Sequence, residues 1–96
     1  MTPITLALLQ AAPMDRGFSD VLNDLEAALK DAAAQQVDLL LTPELFVCGY
    51  GQEDRARAMA VSQDSPFMHQ VGALVKAHGV GLVLGYSEQA GAQRYN

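Results

Sequence analysis

Three short, almost wholly apolar runs constrain this chain more than any other feature: residues 4–10 (ITLALLQ), 37–42 (VDLLLT) and 80–86 (VGLVLGY). Each is too short for a stable helix and shows no polar alternation, the pattern of a strand buried on both faces. Pro3 and Pro13 bound the first, and Pro43, with no N–H for a central ladder, ends the second. Between the first two runs lies a helical pattern. Ser19 stands where an N-cap would, Asp20 is in the first turn, and Val21, Leu22, Leu25, Ala28, Leu29 and Ala32 repeat on one face as far as Gln35 or Gln36. Ser65-Pro66 is a second helix start, with Phe67, Val71, Leu74 and Val75 as its apolar stripe, Lys76 and His78 in the last turn, and Gly79 as the stop. Residues 53–60 hold good helix formers with a weak stripe, residues 89–91 read as a turn, and residues 92–96 as the start of a returning strand.

The order β-α-β-α-β defines an α/β fold with parallel strands joined by crossovers. A three-stranded sheet is thin, and the 96 residues finish on strand material. The expectation is that residues 1–96 are an incomplete domain rather than a finished one. Half the residues are hydrophobic and 18% are charged, which favours a packed core over disorder. Six basic against eleven acidic residues give a net charge of −5, which argues against nucleic acid and anionic membranes as partners. One Cys excludes an internal disulfide and a Cys/His metal cluster. Residues 1–4 carry no signal-peptide pattern and no run approaches a membrane span, so a cytoplasmic setting is expected.

The chemistry-bearing candidate is Glu44, just past the second strand. Open α/β sheets bind ligands in the crevice beyond the strands' carboxyl ends. A carboxylate among Pro43, Leu45 and Phe46, if desolvated, has its pKa raised towards the range useful to a general base. The same Glu could instead cap a loop or helix start. Tyr50 reads first as a packing residue and second as the candidate wall of a substrate pocket. His69 and His78, nine positions apart, do not share a helix face as a metal pair. Gly79, Gly81 and Gly85 do not form a dinucleotide-binding turn.

Pro43-Glu44-Leu45-Phe46 followed by Gly49-Tyr50 resembles the first catalytic motif of the nitrilase, or carbon–nitrogen hydrolase, superfamily. The context is similar along essentially the whole chain: Gln10 at the end of the first strand, Asp15 before and Asn23 within the first helix, then 80–85, Glu88, Gly91 and Tyr95-Asn96. The resemblance implies an αββα sandwich, of which residues 1–96 are the N-terminal β-α-β-α-β part of a single domain. It also implies a Glu-Lys-Cys triad and no cofactor. In such a triad the Glu activates the Cys thiol and later the water, the Cys forms a thioester with the substrate carbon, and the Lys stabilises developing charge. Only the Glu maps here, onto Glu44. The family's Lys and Cys follow the Tyr-Asn stretch, past Asn96. Cys48 is no substitute: it lies inside the Glu motif, where relatives often carry Thr or another small residue, and no cation stands beside it in sequence to lower its pKa. Lys30 and Lys76 read as solvated helix charges.

The resemblance points to hydrolysis of a non-peptide carbon–nitrogen bond in a small-molecule amide or nitrile by a homo-oligomer, with residues 1–96 inactive alone. Aliphatic amides, ω-amides, N-carbamoyl amines and nitriles all remain open as substrates. The alternatives are a truncated, inactive nitrilase-fold fragment and a small α/β binding module.

Overall fold

A computed structural model describes residues 2–12 and 15–96 of the chain; Met1 and Pro13, the latter the expected boundary after the first strand, lie outside them. The elements in chain order are β1 (Leu6–Leu8), α1 (Phe18–Ala34), β2 (Leu39–Leu41), α2 (Glu53–Ala58), α3 (Pro66–His78), β3 (Gly81–Val83), β4 (Glu88–Ala90) and β5 (Gln93–Tyr95). The first three strands form one parallel sheet in the order β1-β2-β3, with Leu6, Leu39 and Gly81 in register at one end and Leu8, Leu41 and Val83 at the other. Strands β4 and β5 make a separate antiparallel hairpin.

The strands form where the apolar runs place them, but only the central three residues of each run are paired as ladder. Helix α1 begins one residue before the expected cap: Gly17 is the N-cap, and its backbone N–H donates to the Asp20 carboxylate at 3.1 Å. A glycine has no capping side chain, so Asp20 reaching back supplies the half of the box that remains. Ser65 caps α3 as its sequence implies, accepting from Met68 N at 3.3 Å, and Gly79 closes that helix in the left-handed conformation at φ 68°. Gln89 and Ala90, read as a turn, belong instead to β4, and the turn falls after them. The cause is tertiary. Val61 N donates to Ser87 O at 3.0 Å and Gln89 N to Val61 O at 2.8 Å, so the chain between α2 and α3 pins this segment extended.

Side-chain alternation sorts the parallel sheet into two unlike faces. Ala7, Leu40 and Leu82 meet α1 and α3, packing with Leu29, Ala32 and Val80. Further along, Val21 and Leu25 of α1 and Phe67 and Val71 of α3 close over Phe46, Val47 and Cys48, which follow β2. Phe18 and Phe67 stack tilted with centroids 4.8 Å apart. The other face carries Leu6, Leu8, Leu39, Leu41 and Val83. Leu6 is 58% exposed, Leu8 71% and Val83 50%. The runs are apolar throughout because both faces are built for burial; the described residues cover one.

Candidate active site

The carboxyl ends of β2 and β3 are stitched together by Thr42. Its N–H donates to Val83 O at 3.0 Å, its hydroxyl donates to the same oxygen at 3.1 Å, and that hydroxyl accepts from Gly85 N at 2.9 Å. The chain then turns sharply at Pro43 and Glu44, with Leu45 in the left-handed region at φ 53°. Gly85 permits this. A Cβ at position 85 would lie 2.3 Å from Pro43 O and 2.7 Å from Leu45 N, so the two backbones are in contact where Glu44 leaves the sheet. Phe46 N returns to Pro43 O at 3.2 Å, Val47 N to Gly85 O at 3.1 Å and Gly49 N to Leu45 O at 2.8 Å. A one-turn loop is thus riveted to the end of β3, and Glu44 projects from it.

Two arginines brace the loop from beneath. Arg16 donates to Phe46 O at 2.9 Å, lies 4.4 Å over the Phe46 ring and ion-pairs with Asp24. Arg55 donates through Nε to Cys48 O at 3.0 Å and through its terminal nitrogens to the Asp15 carboxylate and the Arg16 carbonyl oxygen. Backbone carbonyls turned inward need such donors, and a cation over a ring adds attraction. Sequence reasoning missed both arginines, because their partners lie up to 40 residues away. Asp15, singled out before α1, holds Arg55; Asn23 is exposed on α1.

Glu44 stands at the carboxyl edge of the sheet, where the strand–Pro–Glu order places it. Its side chain is exposed rather than enclosed, and one carboxylate oxygen accepts a hydrogen bond from Asn96 Nδ2. Asn96 belongs to the wall of a concavity of about 330 Å³ formed with Leu84, Gly85, Tyr86, Glu88 and Tyr95. Tyr50, expected to pack, is instead 61% exposed, because the chain leaves the core at Gly49 and sets it on a shallow depression with Leu45, Gly51, Gln52, Glu53 and Ala56. Cys48 is fully buried. Burial pushes its thiol up, outweighing the opposing pull of a backbone hydrogen bond and of nearby Arg55, which makes it a packing group and a poor nucleophile. Lys30 and Lys76 are exposed on their helices, as is His69. His78 lies 3.6 Å from the Glu26 carboxylate. Among the described residues no group of His, Cys, Asp or Glu could hold a metal ion, and no helix is long and apolar enough to cross a membrane.

A parallel sheet with a carboxylate set on a rigid loop at its carboxyl edge is an arrangement suited to acid–base work on a small molecule. The profile of the carbon–nitrogen hydrolase family matches residues 5–96, and the chain belongs to that family. A protein of Pseudomonas protegens named "Hydrolase in pqqF 5'region" is 31% identical over 93 residues, covering 95% of this chain and 32% of that protein. A "Nitrilase" of Talaromyces marneffei is 28% identical over 105 residues, covering 96% of this chain and 33% of that protein. The chain therefore spans about a third of the length of the curated relatives it matches.

Proposed function

We propose that this chain supplies the general base, Glu44, of an enzyme hydrolysing a non-peptide carbon–nitrogen bond in a small amide or nitrile. For an amide, the Glu44 carboxylate accepts the thiol proton of a catalytic Cys. The sulfur attacks the carbonyl carbon while a Lys stabilises the oxyanion. The C–N bond then breaks, the amine leaves with the proton returned from Glu44, and a thioester remains. Glu44 next takes a proton from water, whose oxygen displaces the sulfur to give the acid and restore the thiol. The observation that carries this reading is Glu44 itself, within Pro43-Glu44-Leu45-Phe46, on a loop locked to the end of β3.

The Lys and Cys of this scheme fall outside residues 1–96. The two lysines of the chain sit on helices, and Cys48, within the loop, has its side chain buried in the core. Residues 1–96 by themselves are accordingly proposed to be inactive, as the N-terminal portion of an αββα sandwich. The bare face of Leu6, Leu8, Leu39, Leu41 and Val83 supports that architecture, since a second sheet is what such a face packs against. A purified 96-residue protein should show no turnover of acetamide, butanamide or butyronitrile above the buffer blank. In a polypeptide that carries the remaining triad members, Glu44→Gln should lower kcat/KM by roughly 10³-fold, within the range for a lost general base. Turnover by the pure 96-residue protein that Glu44→Gln abolishes would refute the assignment of the nucleophile. Unchanged turnover in the Glu44→Gln polypeptide would refute the base.

A further inference from the structure

The loop that carries Glu44 turns the carbonyls of Phe46 and Cys48 inward, and each is met by a guanidinium. The two cations are not independent. Arg55 donates from Nε to Cys48 O at 3.0 Å, and its terminal nitrogens reach the Arg16 carbonyl oxygen and the Asp15 carboxylate. It therefore holds the backbone from which Arg16 extends to Phe46 O at 2.9 Å. The side chain of Arg16 is 11% exposed and that of Arg55 22%, whereas Asp15 is 88% exposed. The Arg55–Asp15 ion pair thus lies in water, where it contributes little, and the bonds to the carbonyls are the shielded ones. Helix α2 buries no residue of its own; what it brings to the loop is Arg55. A guanidinium can serve three acceptors at once because its N–H groups are fixed in a planar fork, which the single ammonium of a lysine cannot reproduce.

We propose that Arg55 is a positioning residue for Glu44. The Glu44 carboxylate itself bonds to Asn96, so Arg55 acts through the backbone of the loop. One side of that loop is fixed to the end of β3 by the close approach at Gly85 and by Val47 N–H donating to Gly85 O. The arginine pair fixes the other side. With both sides held, the turn has one orientation and Glu44 leaves the sheet in one direction. Without Arg55, Cys48 O loses its donor and Arg16 loses the anchor of its own backbone, so the loop is free to rock about its contact with Gly85. The proposal rests on the reading of Glu44 as the general base, and it concerns rate rather than substrate affinity.

The first measurement needs only the unaltered 96-residue protein. The Arg55 Nε–H should exchange with water at least about 10-fold more slowly than that of Arg57, whose side chain is 54% exposed. Arg55→Lys should then speed exchange at the Phe46 and Gly49 amides alike, and Arg16→Lys at Phe46 more than at Gly49. In a polypeptide that carries the remaining triad members, Arg55→Lys should lower kcat for acetamide, butanamide or butyronitrile at least about 10-fold with KM within about twofold, the mark of a misplaced catalytic group rather than of lost binding. Gly79→Ala, which strains the left-handed stop of α3 at the opposite end of the sheet, should lower stability and leave both constants unchanged, so lost stability alone does not account for the drop. In a Glu44→Gln background Arg55→Lys should change kcat by less than about twofold, because nothing is left to position. An Arg55 Nε–H as labile as that of Arg57, an unchanged kcat in Arg55→Lys, a raised KM with kcat intact, or a full further loss in the Glu44→Gln background overturns the proposal. Failure of the base reading shows separately, as unchanged turnover in Glu44→Gln alone.

Discussion

Gly85 shows how tightly one residue can tie a site to a sheet. The space a methyl group would need there is occupied by Pro43 O and Leu45 N, backbone atoms that cannot swing aside as a side-chain tip would. Gly85→Ala is expected to destabilise the protein by about 2–3 kcal/mol, at the upper end for overpacking, measured as a lower urea midpoint. Cys48 offers a second test at this scale. Its folded-state pKa is raised by burial, so the folded chain holds the thiol proton more tightly than the unfolded chain does. That contribution is fully present below the ordinary thiol pKa and is lost as pH rises through the raised one. Stability should therefore fall with alkaline pH, and Cys48→Ala should fall less steeply over the same interval. Tyr86, also raised, keeps some alkaline slope in both proteins. A slope identical in the two would mean that the thiol is no better shielded in the folded state than in the unfolded one.

At the scale of elements, the loop that carries Glu44 depends on side chains from α2 and from the segment before α1. Arg55 alone joins Cys48 O, Asp15 and Arg16 O. Replacing it with Met keeps much of the stem and removes the donors, leaving a buried carbonyl short of a partner. The expected cost is about 2 kcal/mol, in the range for hydrogen bonds from a charged group. Hydrogen exchange at Val47 and Gly49, whose amides bond within this region, should accelerate more than exchange in α3. The end of α3 nearest the loop has a simpler dependence. Ser65→Ala removes the acceptor for Met68 N and should cost about 1 kcal/mol.

Across the whole molecule, the asymmetry of the parallel sheet dominates. Leu6, Leu8 and Val83 are exposed on one face, while Ala7, Leu40 and Leu82 are covered on the other. Contiguous exposed apolar area of this kind drives association. Sedimentation of the 96-residue protein should show a concentration-dependent rise in mass. Leu8→Lys, placed at the 71% exposed position, should reduce that rise with little loss of folded stability. A strictly monomeric protein at millimolar concentration would show that the face is not sticky enough to matter.

The three strands, the two long helices, the parallel class and the position of Glu44 at a strand's end were all legible in the order of residues. Their causes are local: apolar run length, helical spacing, a Ser-Pro start, a Gly stop. The family resemblance was legible too, because its motif is contiguous. The Gly17 cap, the conversion of Gln89-Ala90 from turn to strand, and the arginine braces came only with the tertiary structure. Each depends on groups brought together from distant parts of the chain or on geometry that no composition encodes. The same holds for the surroundings of Glu44. Sequence neighbours suggested an apolar nest, yet Leu45 turns through a left-handed residue and Phe46 dives into the core, which leaves the carboxylate outside, against Asn96 from 52 residues away. A chain direction can be read from short-range pattern, but which atoms face a carboxylate is decided by backbone turns and long-range contacts.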